Sequence, residues 1–239
     1  YFIGGRISKA YRRESTVIYP PVDTFSFTQL DHKQDYYFTA SRMVPYKRMP
    51  MIIEAFAAMP DKRLIVIGDG PEMAKAKSIN APNVTLLGFQ PFAVLLEHMR
   101  NAKAFVFAAE EDFGISPVEA QACGTPVIAF GKGGVLETVC GLDHPQPTGV
   151  FYDAQTVSSL VAAVGEFEAA QHRITPHACR ANAERFSGER FEQEMKNFVE
   201  SRLAAARLAR QPSQYKMPQA SPILVSSDLT ARVVPIKSV

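Results

Sequence analysis

Long hydrophobic runs are missing from this chain, and so is a strong net charge of either sign. No apolar run approaches the roughly 20 residues that a bilayer-spanning helix needs. With 26 Lys and Arg against 24 Asp and Glu, the formal net charge is only +2, so no strong field points to nucleic acid as a partner. Cysteine is scarce as well. The three cysteines form an odd set without metal-ligand spacing, which is typical of a reducing, cytoplasmic setting.

Several common catalytic motifs are also absent. The five histidines show no metal-ligand spacing, and no Gly-x-Ser-x-Gly elbow or Cys–His arrangement suggests a nucleophilic enzyme. The glycine-rich stretch GKGGVLE (131–137) is not a Walker loop, and no GxGxxG spacing follows the first predicted strand. These absences exclude several familiar classes of nucleotide-binding and hydrolytic enzyme.

What the chain does contain is an alternation of short apolar runs with helical patterns. The runs are continuously apolar and rich in Val, Ile and Phe, as expected of strands covered on both faces. They lie at 36–40, 64–68, 84–88, 104–108, 126–130 and 149–152. This order predicts an α/β protein with a Rossmann-like, doubly wound parallel sheet of about six strands, right-handed crossovers and extra C-terminal helices.

The flanking segments suggest a division of the chain. Residues 1–22 contain a short helical piece followed by an extended stretch, which Pro20 and Pro21 stiffen. Further helices are predicted over 154–168 and 175–208, and residues 211–239 are expected to be mostly disordered. We therefore expect a central domain over 23–187, a helix over 188–210 and a tail. The chain opens at Tyr1 rather than Met, so we expect it to be part of a longer protein.

The candidate site follows from the sheet. In an open parallel sheet, ligands bind outside the carboxyl ends of the strands, where all strand-to-helix loops emerge. The loop after the first strand carries Arg42 and Lys47, and the loop after the fourth carries Glu110, Glu111 and Asp112. The basic and acidic clusters should thus share one rim. Although the Glu110–Asp112 spacing superficially resembles a divalent-metal clasp, the basic pair could neutralise a diphosphate, so we expect no metal.

Three features of this rim allow two interpretations each. Arg42 and Lys47 are either exposed cations or diphosphate ligands, and their place at a strand end favours the second. The glycines of GKGGVLE either admit a phosphate or form a flexible turn. Ser116-Pro-Val-Glu119 has the pattern of a capping box with Pro at the first helical position. From chemistry alone, a cap is favoured over a ribose-binding role for Glu119.

The stretch EEDFGISPVEAQACGTPVIAFGKGGVLETV resembles the donor-binding signature of retaining glycosyltransferases of family 4, which have the GT-B fold. Glu111 and Glu119 occupy the two ends of that family's Glu-x7-Glu motif. The segment FTASRMVPYKRMPMIIEAF is similar to its first strand, basic loop and helix, with Arg42 and Lys47 at the matching places. The likeness runs continuously from about Tyr19 to Glu137.

The resemblance implies a catalytic role for three residues. Arg42 and Lys47 would bind the donor diphosphate and stabilise charge as the nucleotide leaves, and Glu111 would lie near the transferred sugar. In this family, attack on the same face of the sugar through an oxocarbenium-like ion pair requires no enzyme nucleophile. That agrees with the missing nucleophile motifs.

Further donor contacts are implied by the same resemblance. Backbone amides around Phe113, Gly114 and Ile115 would contact sugar and phosphate. Glu119 would hold the ribose, which reverses the preference for a simple cap. The turn that begins with Gly88 and Phe89 would lie near the base.

The amino-acid sequence of the signature resembles that of bacterial mannosyltransferases that build polysaccharides from GDP-mannose. UDP-sugars are the alternative donors. The acceptor would be a glycan or a polyprenyl-linked sugar, and peripheral association with the inner membrane face is open. GT-B enzymes have two halves. The resemblance implies that this chain contains the second, donor-binding half over 23–187, preceded by residues 1–22 as a remnant of the acceptor half and the hinge. Two other functions stay open: a non-catalytic nucleotide-sugar binding module, and a nucleotide-sugar epimerase of the same fold.

Overall fold

The computed structural model describes residues 1–210 of the 239-residue chain. They form a compact unit over Tyr1–Phe198, and the described part of a second unit, Val199–Arg210, is the end of the last helix. The predicted tail over 211–239 lies outside the described residues.

A single six-stranded parallel sheet organises the fold. Its strands are β1 (Tyr37–Ala40), β2 (Leu64–Ile67), β3 (Val84–Leu86), β4 (Ala104–Phe107), β5 (Val127–Phe130) and β6 (Gly149–Tyr152). The spatial order is β3-β2-β1-β4-β5-β6. Every run predicted as a strand is one, so the predicted fold class is confirmed, although five of the six strands are one or two residues shorter than the apolar run.

Nine α-helices connect and flank the strands within the described residues. They are α1 (Phe2–Tyr11), α2 (Met49–Ala57), α3 (Met73–Ser78), α4 (Phe92–Asn101), α5 (Ile115–Ala122), α6 (Val135–Thr138), α7 (Val157–Ala170), α8 (Pro176–Glu184) and α9 (Gly188–Arg210). Thr156 begins α7, where its hydroxyl accepts a hydrogen bond from the Ser159 N–H at 3.2 Å, as an N-cap does.

The chain breaks between α8 and α9, within the stretch 175–208 that was predicted to be helical, and α9 begins at Gly188, where a separate helix over 188–210 was expected. Phe186 is fully buried there, and Ser187 pairs with Val22 in an isolated parallel bridge. The Ser187 hydroxyl then accepts a hydrogen bond from the Arg190 N–H at 3.3 Å, which starts α9. Burial of one aromatic side chain and pairing with the early segment outweigh the local helical preference.

Alternate residues of each strand face opposite sides of the sheet, and both sides are covered. On one face, Tyr37, Val66 and Val106 pack in a cluster with side chains of α2 and α7. On the other, Phe38 and Phe105 pack with side chains of α4, α5 and α8. Two covered faces explain why the strands are continuously apolar instead of alternating.

Candidate active site

The topology creates a crevice between β1 and β4. From β1 the chain proceeds outward through β2 to β3, and from β4 it proceeds the other way through β5 to β6. The loops that leave β1 and β4 therefore diverge to opposite faces, and ligands of doubly wound sheets bind at such a switch point. Arg42 and Lys47 follow β1, and Glu111 follows β4.

The basic loop is short and holds Lys47 in place. Pro45–Lys47 forms a single 3₁₀ turn, in which the Lys47 N–H donates to the Val44 carbonyl at 3.0 Å. The Lys47 ammonium lies 6.0 Å from the centre of the Phe107 ring, and 17% of the side chain is exposed. Burial lowers the pKa of this ammonium. A cation that is costly to bury needs an anionic partner.

The predicted meeting of the basic and acidic clusters is confirmed. The Lys47 ammonium forms an ion pair with the Glu111 carboxylate, although the two residues are 64 positions apart in the chain. Asp112 instead pairs with Arg6 of α1 at 3.0 Å, and both of those side chains are well exposed. Glu110 is exposed. The three adjacent carboxylates thus have three different environments.

The glycine-rich loop after β5 packs directly against the loop after β4, which carries Glu110, Glu111 and Asp112 and is called the acidic loop below. The Gly134 N–H donates to the Glu111 carbonyl at 2.7 Å, and Glu111 and Gly133 form an isolated bridge. A Cβ atom at Gly134 would lie 2.2 Å from the Asp112 carbonyl oxygen, and one at Gly133 would lie 2.4 Å from that of Glu111. The close approach of the two backbones leaves no room for a side chain at Gly133 or Gly134. This packing is enough to explain both glycines, without a phosphate site or a flexible turn.

Phe113 is held by an aromatic cluster that the sequence did not reveal. Its ring centre lies 5.9 Å from that of Tyr19 and 5.4 Å from that of Phe186. The Tyr19 hydroxyl donates to the Glu137 carboxylate at 2.7 Å, and the Phe2 N–H donates to the same group at 2.6 Å. The ring of Phe113 is therefore held by packing against Tyr19 and Phe186.

The capping box predicted at Ser116 is wrong. Gly114, with φ of +83°, occupies the N-cap position, so α5 begins at Ile115 and Pro117 is its third residue. No side chain caps this helix. The left-handed backbone of Gly114 moves the helix start two residues ahead of the position that the motif implies. Glu119 consequently has no capping role.

Glu119 instead lines a cavity and is partly buried. Burial raises the pKa of its carboxyl group to about 7, and the negative charge of Asp23 adds to this effect. Such a shift disfavours the ionised form until a hydrogen-bond donor or a cation arrives. Strongly shifted acids in a crevice are common at functional sites.

Two adjoining cavities lie along the rim and share Ser116. The first has a volume of about 570 Å³, with Arg42, Phe89 and Glu119 in its wall. The second has a volume of about 580 Å³ and contains the Lys47–Glu111 pair. Its wall also includes Tyr46, Phe113, Gly114 and Ile115. Each volume is in the range of small-molecule sites.

The turn after β3 completes the first cavity. Gly88 has φ of +69°, which favours glycine, and its carbonyl accepts a hydrogen bond from the Gly68 N–H at 2.8 Å. This turn projects Phe89 at the mouth of the cavity, where 81% of the residue is exposed. An exposed aromatic ring beside a cavity with a partly apolar wall could stack on a planar ligand.

The site residues predicted from the sequence are therefore brought together in two groups. Arg42, Phe89 and Glu119 line one cavity, with Gly88 supplying the turn beneath Phe89. Lys47, Glu111, Phe113, Gly114 and Ile115 line the other. Tyr19 and Glu137 were missed. Their contact joins residues 118 positions apart, and no local pattern marks it.

Within residues 1–210, no group of three or more His, Cys, Asp or Glu side chains is arranged to hold a metal ion. The expectation of a metal-free site stays a prediction. In the same part of the chain, every helix is too short or too polar to cross a membrane.

Comparison with known proteins identifies a family and several relatives of modest identity. The family described as "Glycosyl transferases group 1" matches residues 23–186. A D-inositol 3-phosphate glycosyltransferase of Segniliparus rotundus is 34% identical over 67% of this chain and 38% of its own length. A GDP-mannose-dependent phosphatidylinositol monomannoside mannosyltransferase of Corynebacterium glutamicum is 34% identical over 41% of this chain and 30% of its own length.

Solved structures show the same fold. The Anabaena protein HepE, in complex with UDP and glucose, superposes with a TM-score of 0.65 at 23% identity. The superposition covers 78% of this chain and 56% of that protein. The structural neighbours are GT-B glycosyltransferases. The chain spans less than half the length of the two curated relatives named above.

Proposed function

The chain belongs to the group 1 glycosyl transferases, and from this premise we propose that it binds a nucleotide diphosphate sugar and moves the sugar to an acceptor hydroxyl. The observation that carries the proposal is the pair of adjoining cavities at the switch point of the sheet. One cavity suits a nucleoside and the other a sugar, and the diphosphate would lie where they meet.

Arg42 and Lys47 are the proposed diphosphate ligands. Arg42 is exposed on the wall of the first cavity, and Lys47 lies in the second. A diphosphate that bridges the two cavities would meet a bidentate guanidinium on one side and an ammonium on the other. As the glycosidic bond breaks, negative charge grows on the leaving phosphate, and these cations would stabilise it.

The nucleoside is proposed to occupy the first cavity. Glu119 would accept hydrogen bonds from two neighbouring ribose hydroxyls, for which its carboxylate is a suitable double acceptor. Phe89 would lie against the base. Binding would also supply the partly buried Glu119 with the hydrogen-bond donors that its ionised form lacks.

The sugar is proposed to occupy the second cavity, with Glu111 near its hydroxyls and the N–H groups of Gly114 and Ile115 near the sugar and phosphate. In the transfer step, the acceptor oxygen bonds to the anomeric carbon while the bond to the phosphate oxygen breaks. The leaving phosphate takes the proton of the acceptor hydroxyl. Attack on the face that the phosphate leaves would retain the anomeric configuration and needs no enzyme nucleophile.

We propose GDP-mannose as the donor, in polysaccharide biosynthesis. The C. glutamicum relative is named as GDP-mannose-dependent, whereas the more distant HepE was solved with UDP and glucose. Calorimetric titration of this chain with GDP, UDP and ADP, and then with their sugars, tests the choice. Binding of UDP without binding of GDP would overturn the mannose assignment. Failure of all three nucleotides to bind would overturn the proposed function.

The acceptor, a glycan or a polyprenyl-linked sugar, is proposed to bind a part of the protein that precedes this chain. The relatives are more than twice as long as the region they share with it. We propose a cytoplasmic protein whose other half completes the crevice. The isolated 239 residues should bind the donor weakly and transfer little or no sugar. Measurable transfer by this chain alone would contradict that division of labour.

A further inference from the structure

The Lys47–Glu111 ion pair places two residues of the proposed site in direct contact with each other. We propose that Glu111 competes with the nucleotide diphosphate for Lys47, and thereby makes the site prefer the sugar-bearing donor over the nucleoside diphosphate product. The inference rests on the proposed function and adds to it a determinant of specificity.

The pair is enclosed enough for this competition to matter. The exposed fractions of the two side chains are 17% for Lys47 and 22% for Glu111. The Lys47 ammonium also lies 5.2 Å from the centre of the Tyr46 ring and 6.0 Å from the centre of the Phe107 ring. Because both charged side chains are largely shielded from water, the attraction between them is stronger than in an exposed pair.

Glu111 cannot easily move away with its loop. Its carbonyl accepts the Gly134 N–H at 2.7 Å, and its backbone pairs with Gly133. Because the two backbones are in close contact, the loop that carries the carboxylate is fixed. An incoming diphosphate must therefore turn the Glu111 side chain away from Lys47 while the backbone stays in place.

The sugar-bearing donor and the nucleoside diphosphate differ in how they compensate for breaking the Lys47–Glu111 ion pair. When Lys47 pairs with a phosphate, Glu111 loses its cation and faces an additional negative charge nearby. A donor presents sugar hydroxyls, which can donate hydrogen bonds to the freed carboxylate. A nucleoside diphosphate has no sugar there and carries more negative charge on its terminal phosphate. Glu111 should therefore weaken binding of the product more than binding of the donor, and favour product release after transfer.

The test compares wild type with Glu111→Gln, using GDP and GDP-mannose as calorimetric probes, or UDP and UDP-glucose if the chain selects uracil. Glu111→Gln should bind the nucleoside diphosphate about 5- to 10-fold more tightly, because the competing charge is gone. It should bind the sugar nucleotide no more tightly than wild type. The ratio of the two affinities is the quantity predicted to change.

Glu166→Gln is the control, because it removes the same charge from an exposed residue of α7 that lines neither cavity. It should change either affinity by less than about twofold. A Lys47→Ala background supplies a second control. There, Glu111→Gln should give a clearly smaller gain in diphosphate affinity, since the group for which it competes is absent and only the repulsion between Glu111 and the phosphate is relieved.

Unchanged or weaker nucleoside diphosphate binding by Glu111→Gln, in a variant that melts at the wild-type temperature, would overturn the inference while leaving the proposed function intact. An equal gain in the Lys47→Ala background would also overturn it, by showing a general charge effect. Failure of the wild type to bind any nucleotide would overturn the proposed function and this inference together.

Discussion

Single side chains on the rim differ in ways that their neighbours in sequence do not suggest. Of the three consecutive carboxylates, one pairs with Lys47, one with Arg6, and one is exposed. Glu119 lies eight positions after Glu111, in the partly buried wall of the neighbouring cavity. The chemistry of each group is set by what approaches it from other strands and loops, so single substitutions should have separable effects.

Lys47→Ala should weaken nucleoside diphosphate binding by about 1.5–3 kcal/mol, the usual range for a hydrogen bond to a charged group. The variant loses the attraction between the ammonium and the phosphate. Part of this loss is offset, because the ligand no longer has to break the Lys47–Glu111 ion pair on binding. Calorimetry of the variant against wild type measures it. Arg63→Ala, an exposed cation just before β2, is the control and should bind as wild type does. Unchanged affinity in Lys47→Ala would remove Lys47 from the site.

Glu119→Gln should stabilise the ligand-free protein at pH 8 by about 1–2 kcal/mol. Burial raises the pKa of Glu119 to about 7, against an ordinary value of 4.5. Because the pKa is raised in the folded protein, the neutral carboxyl group costs no stability below about pH 4.5. As the pH rises through 7 the group ionises and the wild type loses stability, whereas the glutamine variant does not. Urea unfolding of both proteins at pH 8 and pH 4.5 checks this. A gain of equal size at both pH values would contradict the assignment.

Packing between secondary-structure elements and their loops determines the position of the acidic loop. The loop after β4 rests on the loop after β5 through backbone contacts, and it is held from the side by Tyr19 and Phe186. At the opposite edge of the sheet, Glu168 of α7 accepts hydrogen bonds from Lys103 at 3.0 Å and Tyr37 at 2.9 Å, and pairs with Lys62 at 2.8 Å. One edge is thus organised around a crevice and the other around a charged cluster.

Gly134→Ala should displace the acidic loop and lower both stability and nucleotide affinity. The added Cβ would lie 2.2 Å from the Asp112 carbonyl oxygen, although the φ of −66° at this residue suits alanine. The steric contact of the added Cβ with backbone should therefore lower the free energy of unfolding by about 2–4 kcal/mol. In Gly165→Ala of α7, where no atom lies within 4 Å of the added Cβ, alanine should stabilise the helix by about 0.5–1 kcal/mol. Thermal unfolding of both variants compares them, and a wild-type melting temperature for Gly134→Ala would refute the contact.

Glu168→Gln should destabilise the protein at neutral pH by about 1–2 kcal/mol. Burial alone would raise the pKa of Glu168, but hydrogen bonds from Lys62, Lys103 and Tyr37 outweigh it and lower the pKa to about 2. A lowered pKa gives stability that is present above about pH 4.5 and is lost as the pH falls through 2. The difference between variant and wild type in urea unfolding should therefore shrink between pH 5 and pH 3. A constant difference would rule out the charge as its cause.

At the scale of the whole molecule, the sheet was predictable and the details of its rim were not. Six continuously apolar runs predict six strands covered on both faces, and five of them are mainly buried, whereas the edge strand β3 is only partly buried. The rule for parallel sheets brings Arg42, Lys47 and Glu111 to one edge. The start of α5 was not predictable from its capping pattern, because the left-handed Gly114 moves it. The contact of Tyr19 with Glu137 depends on residues far apart in sequence. Its cause is tertiary packing, which local patterns do not contain.

The central claim is that the two cavities at the carboxyl edge form one nucleotide-sugar site. Backbone amide chemical shifts of the 239-residue chain, recorded during titration with GDP, test it most directly. The largest changes should occur in three loops, over residues 42–47, 88–90 and 111–119. The amino edge, at Asp35, Asp61 and Lys103, should remain unchanged. Largest shifts at that amino edge, or saturating binding that leaves residues 111–119 unperturbed, would contradict the account.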